Sequence, residues 1–136
     1  MSVRDDHLFL TTWDWDGSEQ LGLQVVDVSN PMFPTPVAVV PTPGDALGVT
    51  VSGNLALVSD SVRGLVVFDI SDPTNPVRVD RQGVHAWGAK AYGDRLYMFC
   101  RDDGFRIYDI SGSIPSYLGN YNPSSSDVLY ENGVLD

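Results

Sequence analysis

The residues best suited to chemistry lie in three connections of similar make-up: Pro41-Thr42-Pro43-Gly44-Asp45, Gly83-Val84-His85-Ala86-Trp87 and Pro123-Ser124-Ser125-Ser126-Asp127. Asp45 and His85 hold equivalent positions, as do Leu47 and Trp87. Carboxylates, an imidazole and an indole around one opening can bind a cation, a sugar or a loop of a partner protein. A plainer role stays open beside that one, with His85 a polar loop residue and Trp87 filling space between neighbouring sheets.

A second group is the stretch Trp13-Asp14-Trp15-Asp16-Gly17-Ser18-Glu19-Gln20. Asp14, Asp16 and Glu19 offer hard oxygen ligands around a glycine turn, the donor set that calcium prefers. The spacing departs from an EF-hand loop, which has a further acidic position and a closing glutamate that this stretch lacks. No cofactor is expected from the chain as a whole, with calcium on this loop the alternative. Trp13 and Trp15 alternate along it and suit contact anchors beside polar groups. Capping a sheet edge is the other role open to them.

Covalent and metal catalysis find little support in the remaining residues. Acidic side chains number 18, so a close pair would arise by chance and carries no weight. There is no Gly-x-Ser-x-Gly elbow, no His-Glu-x-x-His, no cysteine pair for zinc and no glycine-rich phosphate loop. The single cysteine, Cys100, excludes an internal disulfide, and its run Leu96-Tyr97-Met98-Phe99-Cys100 reads as strand core with a buried, inert thiol.

The elements that must position these residues come from a phrase repeated three times. Gly22-Leu23-Gln24-Val25-Val26-Asp27-Val28-Ser29 returns as Gly64-Leu65-Val66-Val67-Phe68-Asp69-Ile70-Ser71 and again as Gly104-Phe105-Arg106-Ile107-Tyr108-Asp109-Ile110-Ser111. The steps from Asp27 to Asp69 and on to Asp109 are 42 and 40 residues, the period of a repeat architecture. Short runs of Val, Leu, Ile, Tyr and Phe alternate with Gly, Pro, Asp, Asn and Ser, which is the punctuation of strands and turns. In the second unit, strands are expected over 46–51, 55–59, 65–70 and 77–80. Four strands in about 40 residues is the build of a β-propeller blade. The third strand, Leu65-Val66-Val67-Phe68, is continuously apolar rather than alternating, as a sheet buried on both faces requires.

Asp27, Asp69 and Asp109 recur too regularly to form one active site and are read as corner residues, bonding nearby N–H groups where the third strand turns. Gly22, Gly64 and Gly104 are read as supplying backbone conformations that other residues resist. Pro31 and Pro73 follow two of the corners; the third lacks that proline and has Pro115 later.

The second repeat, Leu-Val-Val-Phe-Asp-Ile-Ser-Asp-Pro with Asn75-Pro76 beyond it, resembles the LVIVD repeat of bacterial and archaeal β-propeller proteins. The resemblance extends over about three repeats. It implies an all-β propeller domain across residues 1–136, with blade-like repeats at about 1–40, 41–82 and 83–122 and the start of a further blade or a closing strand at 123–136. Members of the family are often exported or attached to the cell surface, and most have no assigned chemistry.

Composition agrees with this class. Apolar residues at 43% and charged residues at 19% fit a globular protein, and no apolar run is long enough for a spanning helix. A net charge of −10 with only eight basic residues argues against nucleic acid or an anionic membrane as partner. The opening Met1-Ser2-Val3-Arg4-Asp5-Asp6 does not read as a secretory signal, so a cytosolic location, or a natural precursor that begins elsewhere, is expected.

The first unit is read as beginning at its second strand, over 7–12, with 127–131 aligning as a first strand. Three blades permuted by one strand fall short of the about four to eight that close a propeller. Either a dimer forms a six-bladed ring with 127–131 completing a partner's blade, or the chain is part of a longer propeller. The expected function is a non-catalytic scaffold binding a protein or carbohydrate through its loop rims. The alternatives are a hydrolase-like or metal-dependent enzyme with a site in the central channel, and a purely structural portion of a larger propeller.

Overall fold

The computed structural model describes residues 1–12 and 22–122, and within them every regular element is a strand. The first sheet is β1 (Ser2–Arg4), β2 (His7–Thr11), β3 (Gly22–Asp27) and β4 (Thr35–Pro41). The second is β5 (Gly48–Ser52), β6 (Leu55–Ser59), β7 (Leu65–Asp69) and β8 (Val77–Gln82). The third is β9 (Ala86–Tyr92), β10 (Arg95–Cys100), β11 (Gly104–Asp109) and β12 (Ser116–Tyr121). Each strand pairs antiparallel with its neighbours in sequence, giving three four-stranded meanders. All three carry an irregularity at the same place between third and fourth strands, after Val25, Val67 and Ile107. The repeated phrase thus repeats a backbone shape.

The second sheet explains the continuous apolar runs. Side chains alternate across a strand, so Ala56, Val58, Val66 and Phe68 share one face while Leu55, Leu57, Leu65 and Val67 share the other. The first set packs with Phe9, Leu23 and Val25 of the first sheet. The second set packs with Leu96, Met98, Cys100, Tyr108 and Ile110 of the third. Burial on both sides removes any need for a polar face. Each large apolar side chain taken fully out of water contributes about 1.5–3 kcal/mol.

The first strands of the sheets lie side by side, β1 near β5 and β5 near β9. The Thr50 Oγ1 on β5 accepts the Ala91 N–H of β9 at 3.2 Å. This radial order, with first strands innermost, is that of propeller blades, and the three blades among the described residues do not close a ring.

One expectation is corrected. The first sheet owns a first strand, β1, registered Ser2↔Phe9, Val3↔Leu8 and Arg4↔His7, so 127–131 are not needed to complete it. Asp5 adopts φ 51° in the turn before β2, matching Gly53 at 55° and Gly93 at 56° in the other hairpins. Aspartate tolerates this left-handed region better than most residues. Arg4 then anchors the short strand by donating to the Gly53 and Ile70 carbonyls of the second sheet. Residues 127–131 themselves lie outside the described residues.

Candidate functional site

Antiparallel order sends the connections to two opposite ends. One end carries the loops between second and third strands and the links from one sheet to the next; the other carries the first hairpins and the Asp corners. Asp45, His85 and Trp87 lie at the first end, which is the rim.

The rim is built from the top of the second sheet. After β6 the chain turns through Asp60 and Ser61, the latter at φ 52°, to reach Gly64. The Ser61 carbonyl accepts the Ala86 N–H at 3.0 Å, tying this loop to the start of β9. His85 is half-buried, and its carbonyl accepts the Arg101 N–H at 3.0 Å. Its ring stands edge-on to Trp87, with centroids 6.1 Å apart. Trp87 is 48% exposed and meets Phe99 at 5.7 Å, which in turn lies 5.5 Å from Phe105. Asp45 is exposed, and no hydrogen bond or ion pair joins it to His85 among the described residues.

The carboxylate that organises the rim is Asp60, which the sequence reading passed over. Its side chain is fully buried. Oδ1 accepts the Thr42 hydroxyl at 2.7 Å and Oδ2 the Gly44 N–H at 2.8 Å. Burial pushes its pKa up, while the Thr42 and Gly44 hydrogen bonds pull the other way; Asp45 raises it further and Arg63 lowers it. Alignment of the repeats places Thr12, Asp60 and Cys100 at one equivalent position. No local pattern in Leu55-Ala56-Leu57-Val58-Ser59-Asp60 distinguishes a buried carboxylate from a loop residue; Thr42 as partner is legible only in three dimensions.

A raised carboxyl pKa favours the fold at low pH, and that contribution fades as pH climbs through the folded-state value. The stability of wild type minus that of Asp60→Asn is therefore expected to fall as pH rises from about 3 to about 7. Urea unfolding of both proteins across this range measures it. A difference that stays flat or grows would show that Asp60 ionises as an ordinary surface carboxylate.

At the opposite end Asp27, Asp69 and Asp109 each accept the N–H two residues on, from Ser29, Ser71 and Ser111, all at 2.8 Å. Hydrogen bonds from these serines hold all three carboxyls below their ordinary value. Gly64 and Gly104 have positive φ, 98° and 69°. Gly22 does not, and its constraint is space: a Cβ there would lie 2.4 Å from the Val40 carbonyl oxygen. Cys100 is buried, and desolvation foremost pushes its thiol up to about 11, which keeps it protonated near neutrality.

Trp13, Asp14, Trp15, Asp16 and Glu19 lie outside the described residues, as do 123–127. Among the described residues no three His, Cys, Asp or Glu side chains come together as a metal site. No helix of the described residues is long and apolar enough to cross a membrane.

Among known families, the model described as LVIVD repeat matches residues 17–42 and 43–81. No curated protein matches the chain.

Proposed function

We propose, from the LVIVD repeats matched at residues 17–42 and 43–81, that the chain is a non-catalytic propeller scaffold that works as an assembled ring. The observation that carries the reading is the chemistry of its two outermost faces. Register places Tyr97, Phe99, Phe105 and Ile107 on the face of the third sheet turned away from the second. These positions are equivalent to Leu57, Ser59, Leu65 and Val67, of which Leu57, Leu65 and Val67 pack against the third sheet. On the first sheet, Val3, Leu8, Val26, Leu10 and Val39 share the face turned away from the second. Most of these correspond to residues such as Ala56, Val58 and Phe68, which receive the preceding sheet.

No further sheet lies on either face among the described residues, and Val3 and Val39 are 63% and 52% exposed. The two faces are thus the same mating pair that has already closed twice inside the chain. A second copy supplies both complements, and two copies head to tail give six blades. Patches of this kind on one molecule form interfaces. The rim around Asp45, His85 and Trp87 would then present its indole and polar groups to a protein or carbohydrate partner.

Light scattering behind a sizing column tests this. Wild type is expected at twice the 14.8 kDa chain mass. Ile107→Glu, which places a charge in the open face of the third sheet, is expected to halve that mass while the β circular dichroism persists. A monodisperse wild-type monomer would sink the assembly, and the missing blades would then have to come from a longer chain.

A further inference from the structure

At the corner end, away from the rim, the junctions between sheets are not alike. Between first and second sheets the space is filled by Arg4. Its guanidinium donates to the Gly53 carbonyl, to the Ile70 carbonyl at 2.8 Å and to Asn54 Oδ1 at 3.4 Å, and stands 5.7 Å from the Phe9 ring. The hairpin registers Arg4↔His7 and Ser52↔Leu55 make Ser52 the counterpart of Arg4 in the next junction. Serine lacks two of arginine's three methylenes and its guanidinium. What remains is a groove of about 490 Å³ between second and third sheets, lined by Ser52, Asn54, Asp69, Asp94, Ile110 and Ser111 among others.

The acceptors that Arg4 uses recur in this groove. Ile70 corresponds to Ile110, since the Ile70 N–H bonds the Asn54 carbonyl at 2.8 Å and the Ile110 N–H bonds the Asp94 carbonyl at 2.9 Å. The same pair of bonds makes Asp94 the counterpart of Asn54, with a carboxylate where the first junction has a neutral amide. Asp69 adds a second carboxylate. Its Oδ1 holds the Ser71 N–H, and no ion pair involves either Asp69 or Asp94 among the described residues. The nearest arginine in sequence, Arg95, is 3.5 Å from Asp109 instead.

We infer that this groove is a binding site for a guanidinium group presented by a ligand, with Asp94, Asp69 and the Ile110 carbonyl as its acceptors. The acidic residues alone would not single it out. The repeat does, because the equivalent backbone and side-chain acceptors one sheet earlier hold a guanidinium within the same molecule. A planar fork of five donors suits carbonyl and carboxylate acceptors set at different angles, and an ammonium suits them less well. The ligand is an arginine side chain in a peptide or the free amino acid; the two share this chemistry and differ in the α-carboxylate that Asp69 and Asp94 would repel. The groove lies within one chain and stands whether or not the ring assembles.

The test is a titration of the full chain with N-acetyl-arginine methylamide, followed by the backbone amide resonances. Saturable shifts are expected at Asp94, Ser111 and Gly112. Asp94→Asn, which copies the neutral acceptor of the first junction, is expected to weaken binding about tenfold. Ser52→Arg is expected to fill the groove from within, abolish the shifts and raise the thermal midpoint. Arg4→Ser is expected to open the first junction and add a second, weaker site. Free arginine binding less well than the methylamide assigns the ligand to a peptide, and equal binding to the amino acid; either supports the groove. Equal shifts with the lysine counterpart, or shifts that survive Ser52→Arg, would overturn the assignment.

Discussion

Gly64→Ala is expected to cost about 3 kcal/mol or more of unfolding free energy, read as a fall in urea midpoint. Two independent penalties meet at this glycine. Its φ of 98° lies where a side chain is strained, and a Cβ would sit 1.9 Å from the Gln82 carbonyl oxygen and 2.9 Å from the Val84 nitrogen. Both obstacles are backbone, so no rotamer change relieves them. Relief requires β7 to pull away from β8, where Leu65↔Gln82 is the first pair of the ladder. Gly83→Ala is the control, because nothing lies within 4 Å of its Cβ and its φ is not positive. It should change stability by no more than about 0.5–1 kcal/mol. Equal effects at the two glycines would refute the close-approach argument.

Phe68→Ala is expected to cost about 3–5 kcal/mol, by loss of buried surface and by the cavity left behind. Phe68 is 1% exposed and packs in the cluster that joins first and second sheets. Its neighbours there are strand residues held by ladders on both sides, so the site collapses poorly. In a repeat array coupling runs only between neighbours. The variant should therefore loosen the first sheet while the junction of second and third, built on Leu57 and Val67, keeps its amide protection. Hydrogen exchange separates the two. Uniform loss of protection across all three sheets would mean that the chain unfolds as one unit and that the nearest-neighbour picture is wrong.

The architecture was legible because the residues that repeat are the ones that pack. Leu65-Val66-Val67-Phe68 reads as a strand with no solvent face, and the structure puts Leu65 and Val67 on one neighbour and Val66 and Phe68 on the other. β1 escaped because Ser2-Val3-Arg4 has three residues and one apolar side chain, too few for any period. Its signal was the left-handed turn, where Asp5 stands for Gly53 and Gly93; a match by conformation is invisible to a match by residue type. Asp60 escaped for a different reason. A carboxylate at the end of an apolar run belongs to solvent unless a partner arrives, and its partners Thr42 and Gly44 come from the link between two sheets. The groove needed both steps, since Ser52 becomes conspicuous only once Arg4 is recognised as its counterpart. Of the rim residues, His85 and Trp87 are in edge contact as their spacing allows, whereas Asp45 stands apart from them.

The meander has a further consequence, for the time course of folding. Every strand pairs with the strand before or after it in the chain, and sheets contact in the order they are encoded. Within each sheet the paired strands are neighbours in the chain, so closing the hairpins costs little entropy, while the contacts between sheets join segments about one repeat apart. Hairpins of this size form in about 1–10 μs, far faster than a ribosome adds a residue. The first sheet can thus be finished while the second is being made, and serves as the template on which it settles. The third repeats the step. Each sheet can form as it is made, and the face that the next sheet covers stays open until that sheet arrives.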